Sequence, residues 1–152
     1  MGNRAILITG VVLAVAAGPA FWDTSVAQNN SPVATVSSPA VVTAAAAPEE
    51  GIVSQSPRVI VNVTGFRPPR DGAVEAVVKA QKDDQPEQEI GRFGIFPSTG
   101  FTAADSSGAR RFGLPLPKEL AGSKALKLGV YLVPFRGSGE GAVLELGGAE
   151  IR

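Results

Sequence analysis

The 152-residue chain lacks the side chains on which most protein chemistry depends. It contains no His and no Cys, and it has only one Met, one Trp and one Tyr. A zinc, copper, haem or iron–sulfur site with His or Cys ligands is therefore excluded, as are a His-containing triad, a Cys nucleophile and a disulfide framework. Carboxylates, hydroxyls, Lys, Arg and one Tyr remain, and their spacing forms no catalytic motif. We expect a protein that is not an enzyme and that binds no cofactor and no metal.

Three polar segments come closest to a functional motif. The acidic run within residues 83–89 lacks the spaced ligands and central Gly of a calcium loop, so we expect a solvated turn. No helix follows the glycine-rich segment 137–141, which favours a hairpin turn over a phosphate site. Arg110 and Arg111 precede Phe112, but the chain has 14 basic and 14 acidic residues and a formal net charge of zero. Protection of a strand edge explains the two Arg better than nucleic-acid binding does.

The phenylalanines divide into two groups by their sequence context. Phe93 and Phe112 lie within predicted strands and Phe135 follows one, and we expect all three to fill the core. Phe101 instead lies between Gly100 and Thr102, in a polar loop predicted over Pro97–Gly108. It is the candidate partner contact of the sequence, since a ring that projects from a loop can anchor a protein interface. The alternative is that the ring of Phe101 folds back onto the edge of the sheet.

Short apolar segments that alternate with polar residues predict the elements that must position these side chains. Turn residues separate the segments at intervals of roughly 8–15 residues, and no long helical pattern occurs. The predicted strands are Arg58–Thr64, Ala73–Ala80, Glu89–Phe96, Arg110–Leu116, Ala125–Val133, Ala142–Leu146 and Ala149–Ile151. Ala125–Val133 and Ala142–Leu146 are predicted to form an antiparallel hairpin, and Gly147–Gly148 a kink or bulge. The pattern favours an all-β fold, a small antiparallel β-sandwich of six to seven strands with Greek-key-like connections.

Composition divides the chain into three regions. Residues 1–27 are predicted to be a signal peptide, because Ala5–Ala17 forms an apolar core and Ser25–Ala27 a cleavage site before Gln28. An uncleaved membrane anchor is the alternative. Residues 28–56 are rich in Ala, Pro, Ser and Thr and predict a disordered tether. Residues 57–152 are predicted to fold alone as the β-sandwich domain. We expect a secreted or periplasmic protein that leaves the membrane once the signal is cleaved.

Two parts of this domain resemble the C-terminal domain of plant-type polyphenol oxidases, members of the tyrosinase family. Residues 91–96, Gly-Arg-Phe-Gly-Ile-Phe, resemble the Lys-Phe-Asp-Val-Phe stretch of that domain. Leu126–Gly129 and Tyr131–Gly137 resemble its Leu-Arg-Leu-Gly and Leu-Val-Pro-Arg-Gly-Gly stretches, and Leu144–Ile151 resembles its closing strand. Gly94 replaces the Asp, Phe135 is inserted before Arg136, and the copper-binding His residues of the catalytic domain are missing.

The resemblance implies a β-sandwich that packs over the dicopper entrance of a catalytic domain and keeps the enzyme latent. A copper-loading role, which depends on a Cys motif in fungal relatives, does not carry over to a chain without Cys or His. Shielding needs only shape and an apolar contact. We therefore expect an accessory or docking module for a tyrosinase-like copper oxidase. The alternative is an exported structural or surface-binding β-sandwich with no enzyme partner.

Overall fold

The computed structural model describes residues 31–47, 56–104 and 108–152, and most of them lie in β-strands. The strands are β1 (Val33–Thr35), β2 (Ala40–Ala46), β3 (Arg58–Arg67), β4 (Ala73–Gln81), β5 (Gln88–Phe93), β6 (Phe101–Thr102), β7 (Arg110–Pro115), β8 (Ala125–Arg136) and β9 (Val143–Ile151). The predicted all-β class is confirmed. The predicted signal peptide lies outside the described residues. Within the described ranges, no helix has the length and apolar character needed to span a membrane.

The strands form one mixed sheet that curls around a single core. Its order is β5-β4-β8-β2-β9-β3-β6, with β7 also paired to β3 and β1 paired to β9. The half β5-β4-β8 faces the half β9-β3-β7, and both contribute side chains to one hydrophobic cluster. Every ladder is antiparallel except β2–β9. The sheet thus has nine strands rather than six or seven, since the sequence did not predict β1, β2 and β6.

Alternation of apolar and polar side chains explains why the longest strands form. Along most of β3 and β8 every second side chain is buried, and the side chains between them are partly or fully exposed. The inward residues of β3 and β8 are Val59, Val61, Val63, Leu126, Leu128, Val130 and Leu132. The alternation of apolar residues in Arg58–Thr64 and Ala125–Val133 predicts these inward residues, and the structure confirms them. At Gly147 the register between β3 and β9 shifts, so that Val63 opposes Leu146 while Asn62 opposes Gly148. The predicted bulge is therefore present, inside one continuous strand β9.

Strand β2 lies where the sequence predicted a disordered tether. That prediction is wrong for residues 31–47, and residues 28–30 and 48–55 lie outside the described part of the chain. Ala40, Val42 and Ala44 are buried, while Val41 is exposed. The segment has the alternation of a strand, but its small side chains conceal it, because Ala has low β propensity. The β-domain therefore begins before residue 57.

The predicted hairpin of the last two strands is also wrong. The β8–β9 connection does turn at residues 137–141, where Gly137, Gly139 and Gly141 have φ of 73°, 69° and 82°. However, β2 lies between the two strands and pairs with both of them. Ala44 opposes Leu126 of β8 on one side and Ala149 of β9 on the other. The connection therefore crosses from one half of the sheet to the other.

Removal of β1 and β2 is expected to prevent folding, because β8 and β9 would each lose a hydrogen-bonded neighbour and the core would lose Ala34, Ala40, Val42 and Ala44. Residues 31–152 should show a β-type far-UV circular dichroism spectrum and a cooperative thermal transition, whereas residues 57–152 should show no such transition. Equal transitions for the two fragments would contradict the central role of β2.

Leu128→Ala should lower the free energy of unfolding by about 2–5 kcal/mol, the usual range for truncation of a buried Leu. Leu128 has no exposed surface, whereas its neighbour Lys127 points to solvent. Lys127→Ala is the matched control and should change stability by less than about 0.5 kcal/mol. Urea denaturation of the two variants measures the difference, and equal losses would mean that the facing of β8 is misassigned.

Candidate functional site

Four connections meet at one end of the sheet, and we call this region the Arg–Phe end. It consists of turn 36–39, loop 68–72, segment 94–100 and turn 137–142, with the adjoining strand ends that carry Arg67, Arg110, Phe135 and Arg136. Strand register places them together, because Ala73 opposes Arg136, Arg67 opposes Val143 and Phe66 opposes Phe101. The opposite end consists of the polar connection 82–87 and residues 116–124, which contain no aromatic residue. The two ends therefore differ in chemistry.

Hydrogen bonds between loop 68–72 and turn 137–142 fix the shape of the Arg–Phe end. Asp71 accepts from the Ser138 hydroxyl at 2.6 Å and from the Ser138 backbone N–H at 3.2 Å. The Arg70 backbone N–H donates to the Glu140 carbonyl at 2.9 Å. Gly137 is required here, because a Cβ at this position would lie 2.9 Å from the Gly72 Cα. The Ser138 hydroxyl, and then its N–H, lower the pKa of Asp71 below its usual value.

Two phenylalanine rings are exposed at this end. Phe96 is 90% exposed and Phe135 is 73% exposed. The prediction that Phe135 fills the core is wrong. Ala73 opposes Arg136 while Val74 opposes Pro134, so Phe135 is the extra residue of a bulge and points away from the core. Phe96 follows β5, which ends at Phe93 and not at Phe96 as predicted.

The other phenylalanines of this region pack against the core. Phe93 and Phe112 are half-buried at its border and stack on each other with ring centroids 4.1 Å apart. Phe101, the predicted partner contact, lies in the short strand β6 and is half-buried. The Arg110 guanidinium covers its ring at 3.9 Å. A contact between Phe101 and a partner stays a prediction, and Phe96 and Phe135 present far more of their rings to solvent.

Three arginine side chains, those of Arg67, Arg110 and Arg136, lie at the same end of the sheet as the exposed rings. Arg67 donates from Nε to the Gly141 carbonyl at 3.0 Å. Arg110 donates from Nη1 to the carbonyls of Phe96 and Pro97 at 3.4 and 3.5 Å. No carboxylate of the described residues forms an ion pair with Arg67, Arg110 or Arg136. A shallow cleft of about 420 Å³ lies beside Arg67, and Thr35, Ser37 and Ser138 also line it.

Charged residues of the acidic run 83–89 and of the Arg110–Arg111 pair form side-chain contacts in the structure. Tyr131 donates its hydroxyl to Glu87 at 2.7 Å, and this bond raises the pKa of Tyr131. Glu89 accepts from Arg92 at 2.7 Å, which lowers the pKa of Glu89.

Arg111 forms an ion pair with Glu150 at 2.6 Å on the edge strand β7. This position agrees with a role in edge protection. In residues 31–47, 56–104 and 108–152, no group of three or more Asp or Glu side chains could hold a metal ion.

Comparison with known protein families, with curated proteins and with solved structures finds no match.

The Arg–Phe end therefore has the composition of a binding surface. Aromatic rings and Arg are enriched among the residues that dominate protein interfaces. The sequence analysis missed Phe96 and Phe135, although both had a signal. Pro97 follows Phe96 directly, and Phe135 lies between Pro134 and the glycine-rich turn. Proline disfavours the interior of a sheet, so an aromatic residue beside it lies near the end or the edge of a strand.

Asp71→Asn is expected to lower the thermal midpoint at neutral pH and to have a smaller effect in acid. The pKa of Asp71 is depressed in the folded state, so its contribution is present above the unfolded value of about 3.9 and is lost as the pH falls through the lower folded value. Thermal midpoints of wild type and Asp71→Asn should converge as the pH is lowered below about 4. Asp84→Asn, at the opposite end, is the control. A midpoint difference that does not change with pH would contradict the assignment.

Proposed function

We propose that the protein is an exported, non-catalytic docking module that binds a tyrosinase-like copper oxidase and covers the entrance to its dicopper site. One observation carries the proposal. Two of the segments that resemble the shielding domain of polyphenol oxidases, 91–96 and 131–137, each contain one exposed ring at the Arg–Phe end; the first ring matches the family stretch, and the second is an insertion relative to it. These rings are Phe96 and Phe135. Export rests on the predicted signal peptide, residues 1–27.

The exposed rings are suited to enter an apolar opening. Phe135 lies on β8, and Phe96 lies three residues beyond the end of β5, where its carbonyl accepts a hydrogen bond from Arg110. A ring held in this way loses little conformational entropy on binding. Burial of a large aromatic side chain in a partner pocket is the usual source of the strongest single contributions to an interface. The two exposed rings support the proposal because shielding requires an apolar contact.

The test uses a purified dicopper oxidase catalytic domain that lacks its own C-terminal domain. Titration calorimetry should show binding, and oxidation of a diphenol by the catalytic domain should slow as the protein is added. Phe96→Ser and Phe135→Ser should each weaken binding by about tenfold or more, since truncation of a residue that dominates an interface costs about 2 kcal/mol or more and about 1.4 kcal/mol is tenfold. Val41→Ser is the matched control, because Val41 is 48% exposed on β2, on the outer face of the sheet.

The half-buried Phe101 needs a separate variant. Phe101→Ala that loses binding at an unchanged thermal midpoint would identify this ring as the partner contact. A lowered midpoint with intact binding would identify it as part of the fold. Absence of binding to the catalytic domain, or equal losses in Val41→Ser and Phe96→Ser, would reject the proposal. The alternative, a surface-binding module with no enzyme partner, predicts that the oxidase does not bind.

A further inference from the structure

The charges at the Arg–Phe end are unequal, although the whole chain has a formal net charge of zero. Arg67, Arg70, Arg110 and Arg136 lie there with Asp71 and Glu140. Glu145, the next carboxylate along β9, lies opposite Gly65 and forms no ion pair with an arginine of the described residues. The Asp71 carboxylate accepts a hydrogen bond from the Ser138 hydroxyl, and the Glu140 carboxylate forms an ion pair with Arg70 at 3.4 Å. Glu75, the next carboxylate along β4, pairs with Arg92 at 2.8 Å. Among the described residues, the guanidinium groups of Arg67, Arg110 and Arg136 therefore remain without a carboxylate.

Arg67 is the best positioned of these groups to receive a ligand. Its Nε–H bond to the Gly141 carbonyl fixes the guanidinium beside the cleft, and the described residues provide no bond to its two Nη groups. Two parallel N–H donors of a guanidinium match the two oxygens of a carboxylate.

The cleft also offers a hydroxyl donor. The hydroxyl oxygens of Thr35 and Ser37 lie 3.2 Å apart, and only one of the two donates to the other. The second hydroxyl proton therefore remains available. The Ser138 hydroxyl does not add to this set, because it already donates to Asp71 and accepts from the Glu140 N–H. The cleft thus presents a guanidinium and one hydroxyl proton, a donor set for a single carboxylate.

We propose that the Arg–Phe end binds an acidic segment of a polypeptide, with one carboxylate of that segment in the cleft beside Arg67. The inference rests on the proposed function, for which it specifies the chemistry of the docking partner. The excess of guanidinium groups is complementary to acidic side chains, and Phe96 and Phe135 supply contacts for apolar side chains between them. A polyanion without apolar groups would use the arginines and leave both rings exposed.

The test uses residues 28–152, the chain without the predicted signal peptide, and two capped ten-residue peptides. One peptide alternates Leu with Glu, and the other alternates Leu with Gln. The Leu-Glu peptide should bind, the Leu-Gln peptide should bind at least tenfold more weakly, and the affinity for the first should fall as salt is raised from 50 to 300 mM. Fluorescence anisotropy of labelled peptides measures the dissociation constants. Chemical shift changes of backbone amides should concentrate in residues 35–38, 67–72 and 136–143.

Variants of single charges locate the site. Arg67→Ala and Arg136→Ala should weaken binding of the Leu-Glu peptide about fivefold or more, and Arg67→Lys should restore only part of the loss. Arg58→Ala is the matched control, because Arg58 is an exposed arginine at the opposite end of β3. Glu140→Gln should strengthen binding, since it releases Arg70 and removes a negative charge from the cleft. This gain keeps the test decisive if an arginine variant folds poorly.

Several results would overturn the inference. These are equal affinity for the two peptides, an equal loss in Arg58→Ala, or tighter binding of polygalacturonate or of anionic phosphatidylglycerol vesicles than of the Leu-Glu peptide. The test is independent of the copper oxidase. Binding of the Leu-Glu peptide without binding of the oxidase would reject the proposed function alone. Oxidase binding that is unchanged in Arg67→Ala and Arg136→Ala would reject this inference alone.

Discussion

Strand β2 joins the two halves of the sheet by hydrogen bonds to one strand of each. Along β2, residues 40–45 pair with β8, and residues 44–46 also pair with β9. Ala44 lies between Leu126 and Ala149, and no part of it is exposed. A larger side chain at this position would push the facing halves apart, because packed interiors have no space to spare. The core, the order of the strands and the crossover of the β8–β9 connection all follow from the position of β2.

The sequence predicts the strands that alternate strongly and misses those that do not. Branched and long apolar residues on β3 and β8 mark the inward face, and the structure confirms it. The composition of β2 is typical of a disordered tether, and β2 is a strand because it pairs with β8 and β9. Without β2, the two final segments formed the simplest possible pair, so the sequence favoured a hairpin. Pairing between distant strands depends on the whole fold and is not encoded locally.

The binding end was only partly predictable for a related reason. The prediction that Phe135 fills the core followed from its apolar side chain. Leu132 is inward, so alternation along β8 places Phe135, three residues further on, on the outer face. Phe135 is also the unpaired residue of the bulge opposite Ala73 and Val74. Composition does not reveal the excess of arginine at this end either, because basic and acidic residues are equal in number over the whole chain. The local excess appears only when strand pairing brings together the ends of β3, β7 and β8, which carry Arg67, Arg110 and Arg136.

The two ends of the curled sheet meet without a backbone ladder. Within the described residues, β5 pairs only with β4 and β7 only with β3. The stacked rings of Phe93 and Phe112 bridge the gap, and Leu114 occupies the space beside Gly91, 2.9 Å from where a Cβ would lie. A stacked pair contributes about 0.5–1.5 kcal/mol beyond its buried area. The two halves of the sheet are therefore joined by backbone hydrogen bonds at β2 and only by side-chain packing where β5 meets β7. Separation of β5 from β7 would break no ladder hydrogen bond, so we expect solvent to reach the core along this line at a lower free energy than along any paired strand.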